Sequence, residues 1–141
     1  EHLQQVLLNL VMNALDATEQ GGTVRLSAGP EPELPPDGRA GILRGKSDGP
    51  TLSIHVIDEG KGLNPEDLNN VFERFFSTKG RGQGTGLGLP IAEDIVRAHR
   101  GEIELLSIPG KGTEVIVRIP LADTSAAPAP AKKEEAAADG R

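Results

Sequence analysis

The sequence predicts an α+β fold, a two-layer α/β sandwich in which helices pack on one face of a mixed, mostly antiparallel sheet. Two long segments carry apolar residues at helical spacing, and four shorter segments carry them in the patterns typical of strands. The chain has 141 residues, 36% of them hydrophobic, which is enough to close one core but not two. We therefore expect one folded domain over residues 1–121.

The first helix is predicted to run from the start of the chain to about Thr18. Its apolar stripe consists of Leu3, Leu7, Leu10 and Ala14, widened by Val6, Val11 and Leu15. No strand or cap precedes this pattern, so we expect a truncated start with a domain boundary just upstream. Two glycines end the helix, and residues 23–28 are predicted to form a short strand with Val24 and Leu26 on one face.

Residues 29–50 differ from the rest of the domain because they are rich in Pro and Gly and contain few large apolar residues. We predict a long inserted connection there, mobile and with at most a weak turn or hairpin. Residues 51–58 follow as a strand, in which three aliphatic residues alternate with Ser53 and His55. This alternation predicts that one face of the strand is buried, and that His55 packs on the sheet.

The second half of the domain is predicted to contain two helices and a hairpin. Pro65, a residue tolerated at the first helical position, starts a short helix. A longer helix occupies residues 87–99 and ends before Gly101, a typical C-terminal stop. Residues 103–108 and 113–119 form a hairpin around a glycine-containing turn.

Residues 122–141 consist largely of Ala, Pro, Lys and Glu and have nothing to bury, so we predict a disordered tail.

The composition excludes several classes of partner. The net charge of −6 argues against binding to nucleic acid or to anionic lipid, and only three aromatic residues are present, all Phe, so bases have no stacking platform. The chain has no Cys, no signal-peptide pattern and no apolar run of about 20 residues, the length of a membrane span. We expect a cytoplasmic domain that is monomeric in isolation and makes no direct membrane contact.

A polar ridge lies on the first helix. At 100° per residue, Asn9, Asn13 and Asp16 fall within roughly 60° of one another, away from the centre of the apolar stripe. A pair of Asn at this spacing is more often a solvated helix face than a ligand set. Asn is nevertheless a poor helix former, and a ridge of oxygen atoms suits a hard cation such as Mg²⁺.

Two glycine-containing segments lie next to elements of the predicted fold. Residues 58–62 come where a buried strand ends, and Asp58 could accept a hydrogen bond from an exocyclic amine while glycines let a flat ring approach. Alone, this is more often an ordinary turn. Residues 84–88 precede a helix, whose N-terminus can face a phosphate, but the pattern matches neither a dinucleotide fold nor a P-loop.

Taken together, these segments resemble a known ATP site. The four motif segments occur in the order 9–17, 58–62, 72–79 and 84–89. This order and spacing resemble the N, G1, F and G2 boxes of the ATP-binding catalytic domain of bacterial two-component sensor histidine kinases. The wider group includes type II topoisomerases, Hsp90 chaperones and mismatch-repair ATPases, and its fold is the Bergerat sandwich. The resemblance extends from about His2 to Leu121.

The resemblance implies a binding site for Mg²⁺ and ATP. In it, Asn13 would bind the metal and Asn9 would lie beside the triphosphate. Asp58 would bind the adenine amino group, supported by Thr113, often through water. The glycines beside Asp58 that leave room for the ring are Gly60 and Gly62.

The resemblance also implies a lid over the phosphates. Lys79 would reach the phosphates from this lid and act catalytically together with Asn9 and Asn13. The hinge and phosphate-facing turn would comprise Gly84, Thr85, Gly86, Leu87 and Gly88. The base of the lid would be anchored by Phe72, Phe75 and Phe76, for which simple core packing is an equal alternative.

The chain departs from the family pattern at several positions. Asp16 stands where many of these kinases place Lys, Glu59 stands where Asn is common, and the lid at residues 80–83 is very short, with Arg81 as a possible phosphate contact. Asn9 stands where the hydrolytic relatives carry Glu as general base, and an amide cannot take that proton. The resemblance therefore implies phosphoryl transfer to an external nucleophile rather than hydrolysis.

In the family, the nucleophile is a histidine on a separate dimeric helical phosphoacceptor domain, and an Asp on the receiver domain of a response regulator then takes the phosphoryl group. His2, His55 and His99 do not match that histidine. Two alternatives remain open: a protein-serine kinase of the anti-sigma type, and a nucleotide-binding switch without catalysis. The resemblance leaves open whether the parent protein is membrane-anchored.

Overall fold

A computed structural model of the protein describes residues 2–76 and 87–121. The elements are, in chain order, α1 (His2–Ala17), β1 (Val24–Ala28), β2 (Ala40–Gly45), β3 (Thr51–Asp58), α2 (Pro65–Leu68), α3 (Gly88–Ala98), β4 (Glu102–Ile108) and β5 (Gly112–Pro120). The predicted helices and the four predicted strands are present. Lys79, residues 84–86 and the predicted tail at residues 122–141 lie outside the described residues.

The strands form one five-stranded sheet in the order β1-β3-β5-β4-β2. Its four pairings are all antiparallel, so within the described residues the parallel component of the predicted mixed sheet is absent. β4 and β5 form the predicted hairpin, and β5 also pairs along the whole of β3, from Thr51↔Pro120 to Asp58↔Thr113. The α+β class and the sandwich architecture are confirmed.

The main core lies between the sheet and the helices α1 and α3, which also pack against each other. Helix α1 buries Val6, Leu10 and Ala14, which follow one another at intervals of four residues. Leu15, which the sequence pattern assigned to this stripe, lies outside it with 53% of its surface exposed. The other buried core residues are Val56, Leu68, Val71, Phe72, Ala92, Val96, Ile103, Leu105, Val115 and Val117.

The prediction for residues 29–50 was wrong in one respect, because this segment contains strand β2. β2 pairs with β4 from Ala40↔Ser107 to Gly45↔Glu102 and forms one edge of the sheet. Two of its six residues are glycines, which weakens any local strand pattern. The strand is specified by the free edge of β4, and by Ile42, which packs on the core.

The prediction of one buried face for β3 was also wrong. Ser53 and His55, on the face opposite the helices, are 7% and 1% exposed. The loop before β2 covers this face, and its Leu34 is buried in a second cluster with three residues of β4 and β5. These residues are Leu106, Ile108 and Ile116. Both faces of the central strands are therefore shielded from water.

The side chain of Glu114 on β5 joins the loop before β2 to the sheet. This side chain is completely buried and accepts backbone N–H bonds from Glu33 at 3.0 Å and from Leu34 at 2.7 Å. His55 Nδ1 lies 2.6 Å from Glu114 Oε2, and His55 Nε2 lies 2.6 Å from the carbonyl oxygen of Gly29. The two ring nitrogens of His55 thus contact the Glu114 carboxyl group and a backbone carbonyl of the loop, so that the ring joins β3 to both.

Helix α3 ends in an unexpected way. The residue in the left-handed conformation is Arg100, with φ 61°, and the amides of Arg100 and Gly101 close the helix by bonding to the carbonyls of Arg97 and Val96. Gly101 is instead required by close packing, because a Cβ there would collide with the carbonyl oxygen of Arg118 on β5. The helix therefore ends close to the predicted position, with Arg100 rather than a glycine in the left-handed conformation.

Candidate functional site

A cavity of about 340 Å³ opens between helix α1, the start of helix α3 and the ends of strands β3 and β5. Its apolar lining includes Leu10, Val56, Leu105 and Val115. Six of the predicted site residues line this one cavity, namely Asn9, Asn13, Asp58, Gly62, Gly88 and Thr113. The volume lies within the range of small-molecule sites, roughly 300–1,000 Å³. Residues that are up to about 100 positions apart in the sequence are thus brought to one place.

The sheet contributes a row of polar residues to one end of the cavity. In the strand register, Asp58 of β3 pairs with Thr113 of β5, and Thr113 pairs with Ser107 of β4. All three lie on the helix-facing side, because they continue the alternation of Val56, Val115 and Leu105. The row continues the apolar face of the sheet with polar side chains.

Asp58 is the charged member of this row. It is only 6% exposed, and its Oδ1 accepts the Gly60 amide at 2.8 Å. Burial raises the pKa of the Asp58 carboxyl above its ordinary value, although hydrogen bonds from the amides of Gly60 and Thr113 partly oppose this shift. A buried carboxylate with spare acceptor capacity is suited to bind a ligand that donates hydrogen bonds.

The glycines after Asp58 are required by close approach. A Cβ at Gly60 would collide with the carbonyl oxygen of Ala17, the last residue of α1. Gly62 has φ 72°, and a Cβ there would collide with the carbonyl oxygen of Ile108 at the end of β4. Gly60 packs the loop behind Asp58, while Gly62 lines the cavity itself.

The two asparagines of α1 have different surroundings. Asn9 Nδ2 donates to the carbonyl oxygen of Gly88 at 3.2 Å, and Asn9 Oδ1 accepts from Gln5 at 3.2 Å. Asn13 lies one turn later, with its amide 3.4 Å from the position a Cβ of Gly88 would occupy. Within residues 2–76 and 87–121, the Asn13 side chain forms no hydrogen bond. Asn9 therefore joins α1 to α3, and Asn13 is available to a ligand.

Helix α3 begins at this end of the cavity. Its N-cap is Leu87, and Gly88 and Leu89 line the cavity. The N–H groups of a first helical turn and the positive end of the helix favour an anion. Of the predicted phosphate-contacting residues, Lys79, Gly84, Thr85 and Gly86 lie outside the described residues, so the structure says nothing of them.

The three phenylalanines have separate environments. Phe72 is 6% exposed in the core, and the Arg44 guanidinium lies 5.8 Å from its ring centroid. Phe76 is half-buried and lines the cavity. Phe75 is 75% exposed and has φ 69°. Core packing thus accounts for Phe72, whereas Phe76 belongs to the cavity wall.

Sequence reasoning missed several residues of this region. Met12, Lys61 and Leu63 line the cavity, and Ser107 supports it from within the sheet. Lys61 lies inside the 58–62 segment and could have been included on charge alone. Ser107 had one available signal, since it is a hydroxyl in the otherwise apolar end of a predicted strand.

A comparison with protein families agrees with this geometry. Residues 1–123 match the model of the histidine kinase-, DNA gyrase B- and HSP90-like ATPases. The chain belongs to this family. Within the family, it is similar to the sensor histidine kinase ZraS of Escherichia coli O157:H7, with 34% identity over 121 residues. It is also similar to the sensor histidine kinase WalK of Bacillus subtilis, with 38% identity over 126 residues.

These relatives are much longer proteins. The matched region covers 86% of this chain but 22% of ZraS, and 85% of this chain but 18% of WalK. The chain therefore spans about a fifth of the length of the curated relatives it matches.

Solved structures of this ATPase family share the fold. Full-length ShkA in complex with AMPPNP matches with a TM-score of 0.63 and 30% identity, covering 86% of this chain and 22% of that one. The mycobacterial sensor histidine kinase MprB matches with a TM-score of 0.62 and 25% identity, covering 84% of this chain and 70% of that one.

The structure adds two further observations on this ATPase domain. Among the helices of the described residues, none has the length and hydrophobicity to cross a membrane. His55 is buried on the face of the sheet away from the helices, and His99 Nδ1 bonds to the carbonyl of Ile95 at 2.9 Å. Both histidines are thus engaged within the domain.

Proposed function

We propose that this domain binds Mg·ATP in the cavity and holds the γ-phosphate for transfer to a histidine of a separate phosphoacceptor domain. One observation carries the proposal. A single cavity joins an acceptor pair from the sheet, the buried Asp58 and the half-buried Thr113, to two asparagines and the N-terminus of helix α3. The first group suits a base that donates hydrogen bonds, and the second suits a chain of phosphates.

The adenine ring would lie at the sheet end of the cavity. Asp58 would accept a hydrogen bond from the exocyclic amine. The ring would pack against aliphatic residues such as Val56 and Leu105. Gly62 would leave space beside the base.

Mg²⁺ would bind beside Asn13. Asn13 presents an amide oxygen that makes no hydrogen bond among the described residues, and the Asp16 carboxylate lines the same cavity. Hard oxygen donors in small number, completed by water and phosphate oxygens, are the ligands that Mg²⁺ prefers. When bound, the ion would neutralise charge on the phosphates. No cluster of three or more His, Asp or Glu side chains suited to hold a metal occurs in the part of the chain described.

Asn9 would position the phosphates rather than activate water. Its amide is held between Gly88 and Gln5, and an amide cannot act as a general base. Transfer would break the bond between the γ-phosphorus and its bridging oxygen and form a bond to the imidazole nitrogen, leaving ADP. Lys79 would add positive charge, and catalysis would consist mainly of orientation and charge neutralisation.

The phosphoryl group would then pass to an Asp of a response-regulator receiver domain. This makes the parent protein a protein-histidine kinase of a two-component pathway. Its sensed signal, cognate regulator and membrane attachment are properties of the longer protein.

Calorimetric titration of Mg·ATP and ADP into this chain tests nucleotide binding. We expect binding to the unaltered chain and to Glu59→Ala, whose exposed carboxylate lies outside the cavity. Asp58→Ala should weaken binding by about tenfold or more, since a hydrogen bond to a charged group contributes about 1.5–3 kcal/mol. Equal affinities of the two variants would contradict the assignment of the base.

Phosphotransfer is tested on the full-length protein containing the phosphoacceptor domain. Acid-labile, base-stable phosphohistidine is the expected product. Phosphoserine would favour the serine-kinase alternative, and binding without any phosphoprotein would favour a nucleotide-dependent switch. Steady hydrolysis lost in Asn9→Ala would overturn the role given to Asn9.

A further inference from the structure

Ser107 is a completely buried hydroxyl that the proposed mechanism does not use. Its Oγ lies 2.8 Å from the amide nitrogen of Leu63, 3.0 Å from the carbonyl oxygen of Gly112, and 3.0 Å from Thr113 Oγ1. These groups belong to the loop after β3 and to β5, which form two walls of the cavity. Ser107 is therefore the junction between them.

The proton positions in this junction follow from the types of group involved. The Leu63 amide can only donate and the Gly112 carbonyl can only accept, while a hydroxyl has one hydrogen and two lone pairs. All three contacts are hydrogen bonds in one arrangement only. In it, Ser107 accepts from Leu63, donates to Gly112, and accepts the hydroxyl hydrogen of Thr113.

This arrangement determines what Thr113 offers to the cavity. Because its hydroxyl hydrogen is directed at Ser107, the Thr113 oxygen has only lone pairs left for a ligand. Its neighbour in the row, Asp58, accepts the Gly60 amide through Oδ1 and likewise offers acceptor oxygens. A water bridging the two would donate to both and would itself accept from the base. This wall therefore suits a base edge that donates hydrogen bonds.

We propose that Ser107 is a positioning residue that sets the choice of purine, by fixing the Thr113 hydroxyl as an acceptor. The proposal rests on the proposed function, since it concerns the base of the same nucleotide. A 6-amino purine donates at the position where a 6-oxo purine presents a carbonyl oxygen. A 6-oxo group would place its oxygen opposite the acceptor oxygens of Thr113 and Asp58, with no hydrogen between them. Acceptors that face one another in this way are costly in a buried site. Ser107 thus acts on selectivity without touching the ligand.

The test compares ATP with inosine triphosphate, which differs from ATP in the base and carries the 6-oxo group. Calorimetry on this chain gives the ratio of the two dissociation constants. Ser107→Ala frees the Thr113 hydroxyl to rotate and donate, so the preference for ATP should fall by about tenfold, the effect of one hydrogen bond of about 1.4 kcal/mol. Ser107→Thr keeps a hydroxyl and should restore the ratio.

Two further variants keep the inference falsifiable. Ser53→Ala, a buried serine on the opposite face of the sheet, should leave the ratio unchanged. Thr113→Val removes the acceptor, so it should by itself bring the dissociation constants of ATP and inosine triphosphate closer together. Adding Ser107→Ala to Thr113→Val should then cause no further change in their ratio. If Ser107→Ala does not fold, the ratio measured for Thr113→Val tests the inference, and an unchanged ratio overturns it.

The outcomes separate this inference from the proposed function. Failure of the unaltered chain to bind ATP overturns both. ATP binding with a ratio unchanged in Ser107→Ala or in Thr113→Val overturns the role of Ser107 and leaves the nucleotide site intact.

Discussion

Replacing Glu114 with Gln should destabilise the domain by about 3–6 kcal/mol, because a buried side chain loses two hydrogen bonds of about 1.5–3 kcal/mol each. The carboxylate is completely buried and accepts from the Glu33 and Leu34 amides and from His55. A glutamine keeps one acceptor oxygen and turns an NH₂ group toward the other donors.

This loss is a large part of the stability of a small domain, typically about 5–15 kcal/mol. Urea unfolding followed by far-ultraviolet circular dichroism measures it, because the chain has neither Trp nor Tyr for fluorescence. Glu104→Gln is the matched control: its carboxylate is half-buried and pairs with Arg118 at 2.9 Å. We expect a loss of about 1 kcal/mol or less there.

A double-mutant cycle with His55→Ala measures the coupling directly. We expect the two substitutions together to cost less than their sum by about 1–3 kcal/mol, because each removes the same pair. A loss for Glu114→Gln no larger than for Glu104→Gln, or additive effects in the cycle, would refute the account of a buried carboxyl group that joins the loop to the sheet.

Four further predictions concern the cavity. Since burial raises the Asp58 pKa, its ionisation opposes folding above that pKa, and this penalty is relieved as the pH falls through it. Asp58→Asn should therefore be at least as stable as the unaltered chain in thermal unfolding at pH 7, yet bind ATP poorly. A lower midpoint of thermal unfolding in the variant would contradict the predicted direction of the pKa shift. Because the Asp58 pKa is raised, ATP affinity measured from pH 7 downward should begin to fall at a pH above the pKa of an ordinary Asp. A fall only at the pKa of an ordinary Asp would contradict this prediction. Gly62→Ala should cost more than about 1 kcal/mol in urea, through positive φ and collision with Ile108, whereas Gly49→Ala, also at positive φ but in open space, should cost less. Asn13→Ala should reduce the dependence of ATP affinity on Mg²⁺, measured with and without chelator, and retention of the full dependence would exclude Asn13 as the ligand.

Most elements could be predicted from the sequence because their signals are local. The stripe on α1, the alternation along β3 and the turn between β4 and β5 each depend on neighbouring residues. The site could be predicted in outline for the same reason, since Asn9, Asn13, Asp58 and Gly62 lie within short motifs. The resemblance of those motifs to the family is confirmed by the family match.

Strand β2, the covered outer face and the Ser107 junction could not be predicted in this way. β2 is a strand because β4 offers it an open edge, and Ser53 and His55 are buried because a loop about 20 residues earlier folds over them. Ser107 gains its contacts only when β4, β5 and the loop after β3 meet. The sequence by itself determined the local periodicities and the residue types of the site. Only the tertiary structure decided which distant donors and acceptors face one another, because hydrogen bonding and burial depend on neighbours in space rather than along the chain.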